Sequence, residues 1–350
     1  MKKTVLFGSA FLVATGVVIT LVSFRLQALP EPMAHCPVPA VAGGGTTTQH
    51  AINVDAQQHS KGCVFKTVFE GEGLDSSFVV RTPEPVVRSE QRGLEWLVKA
   101  QSQDGGYGAG SHARQDIMDP HQVSSDPATT AMVAMALMRM GSTLDQGAYH
   151  KQLSDATEYL LVQVEKTPKD AMNITDLQGT QIQVKLGANI DVALAAQFLA
   201  NLSAKLGEQH PKKLRTMRAQ NTCVGIIQRS QNSDGSVRGD GWAGVLQSSF
   251  AANALESAKS QGADVDEEAL DLARDYQKAN FDVATGAADT ERAAGVTLYA
   301  VSSSTRNSAA EAREVREVVE KAKKEGRVAA AAPVNQETLQ QAGYTPAQAQ

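Results

Sequence analysis

The residues best suited to chemistry are few and scattered. His112, Asp116, Asp119 and His121 bring four residues of metal-ligand type into one polar loop. Imidazole and carboxylate donors suit zinc or a harder divalent ion. Their spacing matches no ligand frame, however, and no metal or other cofactor is expected. Cys36 and Cys63 flank a Gly/Pro/Thr-rich stretch. Outside the cytoplasm they can close a small loop by a disulfide, or they stay as two unpaired thiols, and spacing does not decide between these. Cys223 lies in an apolar helical run and reads as a buried structural thiol. The stretch Gly105-Gly106-Tyr107-Gly108-Ala109-Gly110 is glycine-rich but follows a helix rather than a strand, which argues against dinucleotide binding. Asp126 precedes Pro127 at the head of an apolar run, as a helix cap would. The acidic run Asp264 to Glu268 also reads as a solvated helix start. No Ser/His/Asp or Cys/His arrangement emerges.

These residues sit in a chain of 350 residues that is 42% hydrophobic and 20% charged, with a net charge of -5. That balance permits a sizeable core and gives no electrostatic reason to expect nucleic acid as a partner. Thr4 to Phe24 carries no charge and follows Lys2 and Lys3. At helical rise it reaches about 30 Å, the thickness of a bilayer's hydrocarbon. The favoured reading of residues 1–25 is an uncleaved signal anchor with its N-terminus inside the cell. The rival is a cleaved signal peptide, whose apolar stretch is usually shorter. Either way the body is exported. The bilayer is then a partner through residues 4–24, and the chain is a single-pass protein of the inner membrane with a periplasmic body. Residues 26–85 read as a Pro/Gly-rich linker, with short apolar alternations at Val64–Phe69 and Phe78–Val80.

From Val86 onward, two kinds of helix alternate. Segments 86–101, 146–166, 210–230, 265–280 and 307–325 are amphipathic and charge-rich, as expected of helices with one wet face. Segments 127–140, 188–202, 245–258 and 291–304 are apolar or small nearly all round and must be buried on every side. An outer layer backing an inner layer satisfies both kinds, with each pair forming one repeat. The expected fold is all-α, an α/α toroid of alternating inner and outer helices over 86–306. A charged outer helix and polar tail occupy 307–350. Internal copies support repetition. Trp96-Leu97-x-x-x-Gln101-x-x-Asp104-Gly105-Gly106-Tyr107 is matched by Ile226-Ile227-x-x-x-Gln231-x-x-Asp234-Gly235-Ser236. A weaker copy runs Tyr276-Gln277-x-x-x-Phe281-Asp282 before Gly286. In each copy the apolar pair should anchor the outer helix. Gln should bond the carbonyls exposed at its end, and Asp-Gly should make the turn.

Arg92-Gly93-x-x-Trp96-Leu97-x-x-x-Gln101-x-x-x-Gly105-x-Tyr107 resembles the QW motif of squalene and oxidosqualene cyclases, with Tyr in place of the last Trp. Asp126-Pro127-Ala128-Thr129-Thr130-Ala131 resembles the start of a cyclase inner helix. The resemblance covers about residues 86–305 and extends to protein prenyltransferases, which share the toroid. It implies the fold more strongly than the function. Class II cyclases protonate an alkene or epoxide with the middle Asp of a DxDD motif. In that register Asp126 takes the first position, and Ala128 and Thr129 take the other two. Asp126 is thus the candidate displaced acid, beside its reading as a cap. Aromatic residues make up only 5% of the chain, which is sparse for stabilising a carbocation. The prenyltransferase zinc ligands and the Cys/Gln pair of thioester domains have no counterpart. Five outer and four inner helices fall short of the family's six pairs. The expectation is an incomplete ring that is open, is closed by a partner, or, as favoured, comes from a truncated sequence. The preferred function is a membrane-anchored module that binds a lipid or protein ligand. The alternatives are a terpenoid cyclase acting on a polyprenyl lipid and a structural envelope component.

Overall fold

The computed structural model describes residues 83–349, except positions 240 and 283. The expected membrane segment 4–24, Cys36, Cys63 and the linker strands lie outside the described residues. Among the described residues no helix is long and apolar enough to cross a membrane.

Among the described residues the fold is all-helical apart from one hairpin of two-residue strands. The described residues form ten α-helices in order: α1 Glu84–Ala100, α2 Pro127–Arg139, α3 His150–Lys166, α4 Gln181–Leu186, α5 Ile190–Lys205, α6 Lys213–Arg229, α7 Gly244–Ser260, α8 Glu267–Ala279, α9 Thr297–Lys324 and α10 Gln336–Ala342. The hairpin pairs β1 Phe281–Asp282 with β2 Ala287–Ala288. Local chemistry sets many of the boundaries. Asp126 caps α2 through its bond from the Thr129 N–H, with Pro127 in the first turn. Asp266 caps α8 in the same manner, ahead of Glu267 and Glu268. Thr180 and Gln183 form a reciprocal capping box at α4.

The helices sort into two layers. α5 lies between α2 and α7 and packs against both, with α6 behind it. Every residue from Ile190 to Ala200 is buried. Phe198, Leu194, Leu199 and Leu202 are among the largest side chains fully removed from water. Burial of each contributes about 1.5–3 kcal/mol. α3 backs α2, and α8 backs α7. Ion pairs join the outer helices: Arg215 of α6 holds Glu158 and Glu165 of α3. Arg274 of α8 holds Glu256 of α7 and Glu314 of α9.

α9 departs from the sequence expectation. The expected inner helix over 291–304 and outer helix over 307–325 run together from Thr297 into one helix of 28 residues, and Glu291–Ala293 form a separate 3-10 turn ahead of it. No glycine or proline lies between Gly295 and Gly326, so nothing interrupts propagation. Hydroxyls near the expected break bond back along the helix, Thr305 to the Val301 carbonyl and Ser308 to the Ser304 carbonyl. The boundary expected between 306 and 307 falls inside this helix. α9 packs against α7 and α8, and α10 folds back onto it.

Candidate functional site

The repeated turn takes the same geometry twice. Gln101 Nε2 donates to the Gly105 carbonyl at 2.8 Å and to the Gln152 carbonyl at 2.9 Å. Gln231 Nε2 donates to the Gly235 carbonyl at 3.3 Å and to the Ala269 carbonyl at 2.8 Å. Each glutamine therefore braces its own turn against a neighbouring outer helix, α3 or α8, rather than capping the helix that carries it. Asp104 Oδ1 accepts from the Gly106 N–H and the Ser125 hydroxyl. Asp234 Oδ1 accepts from the N–H and hydroxyl of Ser236. One serine in the second turn thus does the work of Gly106 and Ser125 in the first. The third copy does not form this turn. Phe281 cannot donate as glutamine does, and Asp282 instead supports the hairpin through the Ala284 N–H and the Thr285 hydroxyl.

The expected apolar anchor is placed differently from expectation in the first copy. Trp96 is 55% exposed, while Leu94 and Ala100 turn inward. In the second copy Ile226 and Ile227 are both buried. Tyr107 is buried, and its N–H donates to the Thr130 hydroxyl. Burial, with the Asp155 charge adding, pushes its phenol pKa upward. Gln231→Ala should remove two bonds at the α6–α8 junction and cost about 1–2 kcal/mol, read as a lowered thermal midpoint of a chain still helical by circular dichroism. An unchanged midpoint would deny Gln231 this bracing role.

Two buried carboxylates lie at the heads of the inner helices. Asp126 Oδ1 accepts from the Thr129 N–H at 2.7 Å, and Oδ2 accepts from the Ala109 N–H at 3.0 Å and the Thr129 hydroxyl at 2.9 Å. Asp191, which the sequence reading missed, has Oδ1 bonded by the Ala128 N–H at 3.1 Å and Oδ2 by Gln183 Nε2 at 2.8 Å. Burial pushes both carboxyls upward, Asp191 to about 6, where the neighbouring charge of Asp126 adds to the effect. The hydrogen bonds oppose the shift in each case. Asp191 belongs to α5 yet satisfies the head of α2. Gln247 of α7 repeats this one helix further on, its Oε1 accepting from the Asn189 N–H at the head of α5. A charge inside the otherwise apolar run 188–202 was the signal for Asp191.

The four ligand-type loop residues are engaged separately. His112 Nδ1 faces Gln181 Oε1, Asp116 binds Arg114, and Asp119 accepts from the His121 N–H. Among the described residues no three His, Cys, Asp or Glu side chains gather as a metal site. Cys223 is buried, with burial raising its thiol pKa to about 12. A cavity of about 250 Å³ opens near the C-terminal ends of α2 and α5, lined by Met138, Leu144, Asp145, Leu206 and His210 among others. Neither Asp126 nor Asp191 reaches it.

No protein-family model, curated protein or solved structure matches this chain.

Proposed function

We propose that this chain is a toroid-type helical repeat module, an incomplete ring that binds a protein or lipid ligand without cyclase chemistry. Residues 4–24 would hold it in the inner membrane with the repeats on the outer side. One observation carries the non-catalytic reading. Among the described residues the buried carboxylates are Asp126, Asp191 and Glu256, and each is committed to the scaffold. Asp126 and Asp191 are bonded by backbone N–H groups and by Thr129 and Gln183, and Glu256 pairs with Arg274. A proton donor to an alkene must be a strong acid facing its substrate. Asp126 instead has both oxygens occupied, and its pKa is moved upward. The twice-formed Gln/Asp-Gly turn supports the toroid resemblance, and the position matching the family's proton donor is Ala128.

The test is incubation of the full chain, in detergent, with squalene and with polyprenyl substrates, followed by product analysis. The expected result is no turnover. Asp126→Ala should cost about 1–2 kcal/mol of stability through the lost cap. Turnover by the wild type that Asp126→Ala abolishes in a folded protein would establish the cyclase alternative.

A further inference from the structure

The cavity at the C-terminal ends of α2 and α5 has an apolar floor and a polar mouth. Met138, Leu144, Leu153, Leu202 and Leu206 supply the floor. Leu153 and Leu202 are among the side chains fully removed from water. The main-chain carbonyls at these helix ends are already taken. The Gly141 and Ser142 N–H groups donate to the Met138 and Leu137 carbonyls, and the Leu206 N–H donates to the Leu202 carbonyl. A dry cavity of about 150 Å³ holds benzene, so this one, of about 250 Å³, accommodates roughly ten non-hydrogen atoms. Its floor calls for a hydrocarbon tail of that size, because a polar group placed there would find no partner.

The mouth is bordered by Asp145, Lys205 and His210. Two of these satisfy each other. His210 Nδ1 accepts from the Lys212 N–H at 3.1 Å, so the neutral ring carries its proton on Nε2, which faces Asp145 Oδ2 at 3.3 Å. Lys205, in the last turn of α5, is exposed. Among the described residues its amine holds no carboxylate. One uncommitted ammonium therefore stands over an apolar floor. Lysine acts as a compact point charge, which a monoanion balances. A carboxylate is the simplest monoanionic head for a tail of this size.

We propose that this cavity binds a small amphiphilic carboxylate, its tail against Leu153 and Leu202 and its head at the Lys205 amine. The site lies at the opposite end of the inner helices from Asp126 and Asp191. It stands whether the repeats serve as a binding module or perform cyclase chemistry.

The test titrates hexanoate, octanoate, decanoate, octanol and octylamine into the full chain in maltoside micelles. The readout is the isotope-labelled methyl resonance of Met138, which lines the cavity and is identified with Met138→Leu. Octanoate, of about ten non-hydrogen atoms, should shift that resonance saturably, with a Kd of about 0.1–1 mM. Hexanoate should bind about tenfold more weakly, because each buried methylene is worth a factor of about four. Decanoate should gain little, since the cavity is then full, whereas uptake by micelles rewards every added methylene. Lys205→Gln should weaken octanoate about three- to fivefold and leave octanol unchanged. Lys205 is exposed, so this variant should keep the wild-type fold. Four results would each overturn the site. They are no saturable shift of Met138 with octanoate up to about 10 mM, affinity that climbs steadily to decanoate, octylamine binding as tightly as octanoate, and octanoate affinity unchanged in Lys205→Gln.

Discussion

Gly235→Ala should destabilise the protein by about 3–4 kcal/mol and lower its thermal midpoint by roughly 10 °C. Gly235 has φ +83°, and a Cβ there would collide with the Leu272 carbonyl of α8. The left-handed conformation alone costs an L-residue about 1–2 kcal/mol. The collision adds to this, because the neighbour is backbone and cannot rotate away. Its counterpart Gly105 has φ +85°, and a Cβ would stand 2.5 Å from the Asp155 carbonyl oxygen of α3. Gly93 is the control. It sits inside α1, where an added methyl would meet nothing within 4 Å. Gly93→Ala should stabilise by about 0.5–1 kcal/mol through helix propensity. Denaturant unfolding of the three variants would rank them. Equal stability of Gly235→Ala and Gly93→Ala would mean that the turn does not press on α8 as described.

The second large effect is a pH dependence. With its carboxyl raised to about 6 in the folded protein, Asp191 binds its proton more tightly than in the unfolded chain, where the ordinary value is 3.8. Folding stability from this group is therefore fully present below about pH 4 and is lost as pH rises through about 6. A difference of about two pKa units corresponds to about 3 kcal/mol. Asp191→Asn removes the titration. Its fixed cost arises because Asn presents an N–H toward Gln183 Nε2. Gln183 is held in place by bonds to the Leu177 carbonyl and from the Thr180 N–H. Glu158 and Glu165 are pulled downward by Lys212 and Arg215 and impose the opposite slope, but they do so in both proteins. The wild-type-minus-variant stability, measured by urea unfolding from pH 4 to 8, should decline by about 3 kcal/mol. A flat difference would mean that Asp191 titrates normally.

The inner and outer layers were legible because burial on all sides demands an apolar surface on all sides. The segments over 127–140, 188–202 and 245–258 accordingly became α2, α5 and α7. Asp126 was legible as a cap from Pro127 beside it. Where repetition was allowed to override local chemistry, the reading failed. Segment 291–325 has no helix breaker after Gly295, and the continuity of α9 could have been read from that alone. The motif assigned Trp96 a buried role, yet the stripe Leu94, Leu97 and Ala100 already marked the inward face of α1. α4 was missed because six residues are too few to show a helical period, although Thr180 and Gln183 spell a capping box. Asp191 and Gln247 become meaningful only when helices distant in sequence meet.

The two ends of the bundle differ in how much change they can absorb. At the heads of the inner helices, backbone bonds stitch 110–112 to 179–181, and 184–185 to 242–243, so that three successive crossings share α4. At the other end the connections around Gly207 and Gly262 are short, and an added methyl at Gly207 meets nothing within 4 Å, while Gly262 at φ +77° has open space around it but a conformation that favours glycine. Loop lengthening, tag insertion or circular permutation belongs at that second end, because there it disturbs one connection. At the first end a single inserted residue would pull on three connections together. Sequence drift in the lineage of this chain should be correspondingly lopsided, with length variation collecting near positions 207 and 262 and spacing held near 181–186.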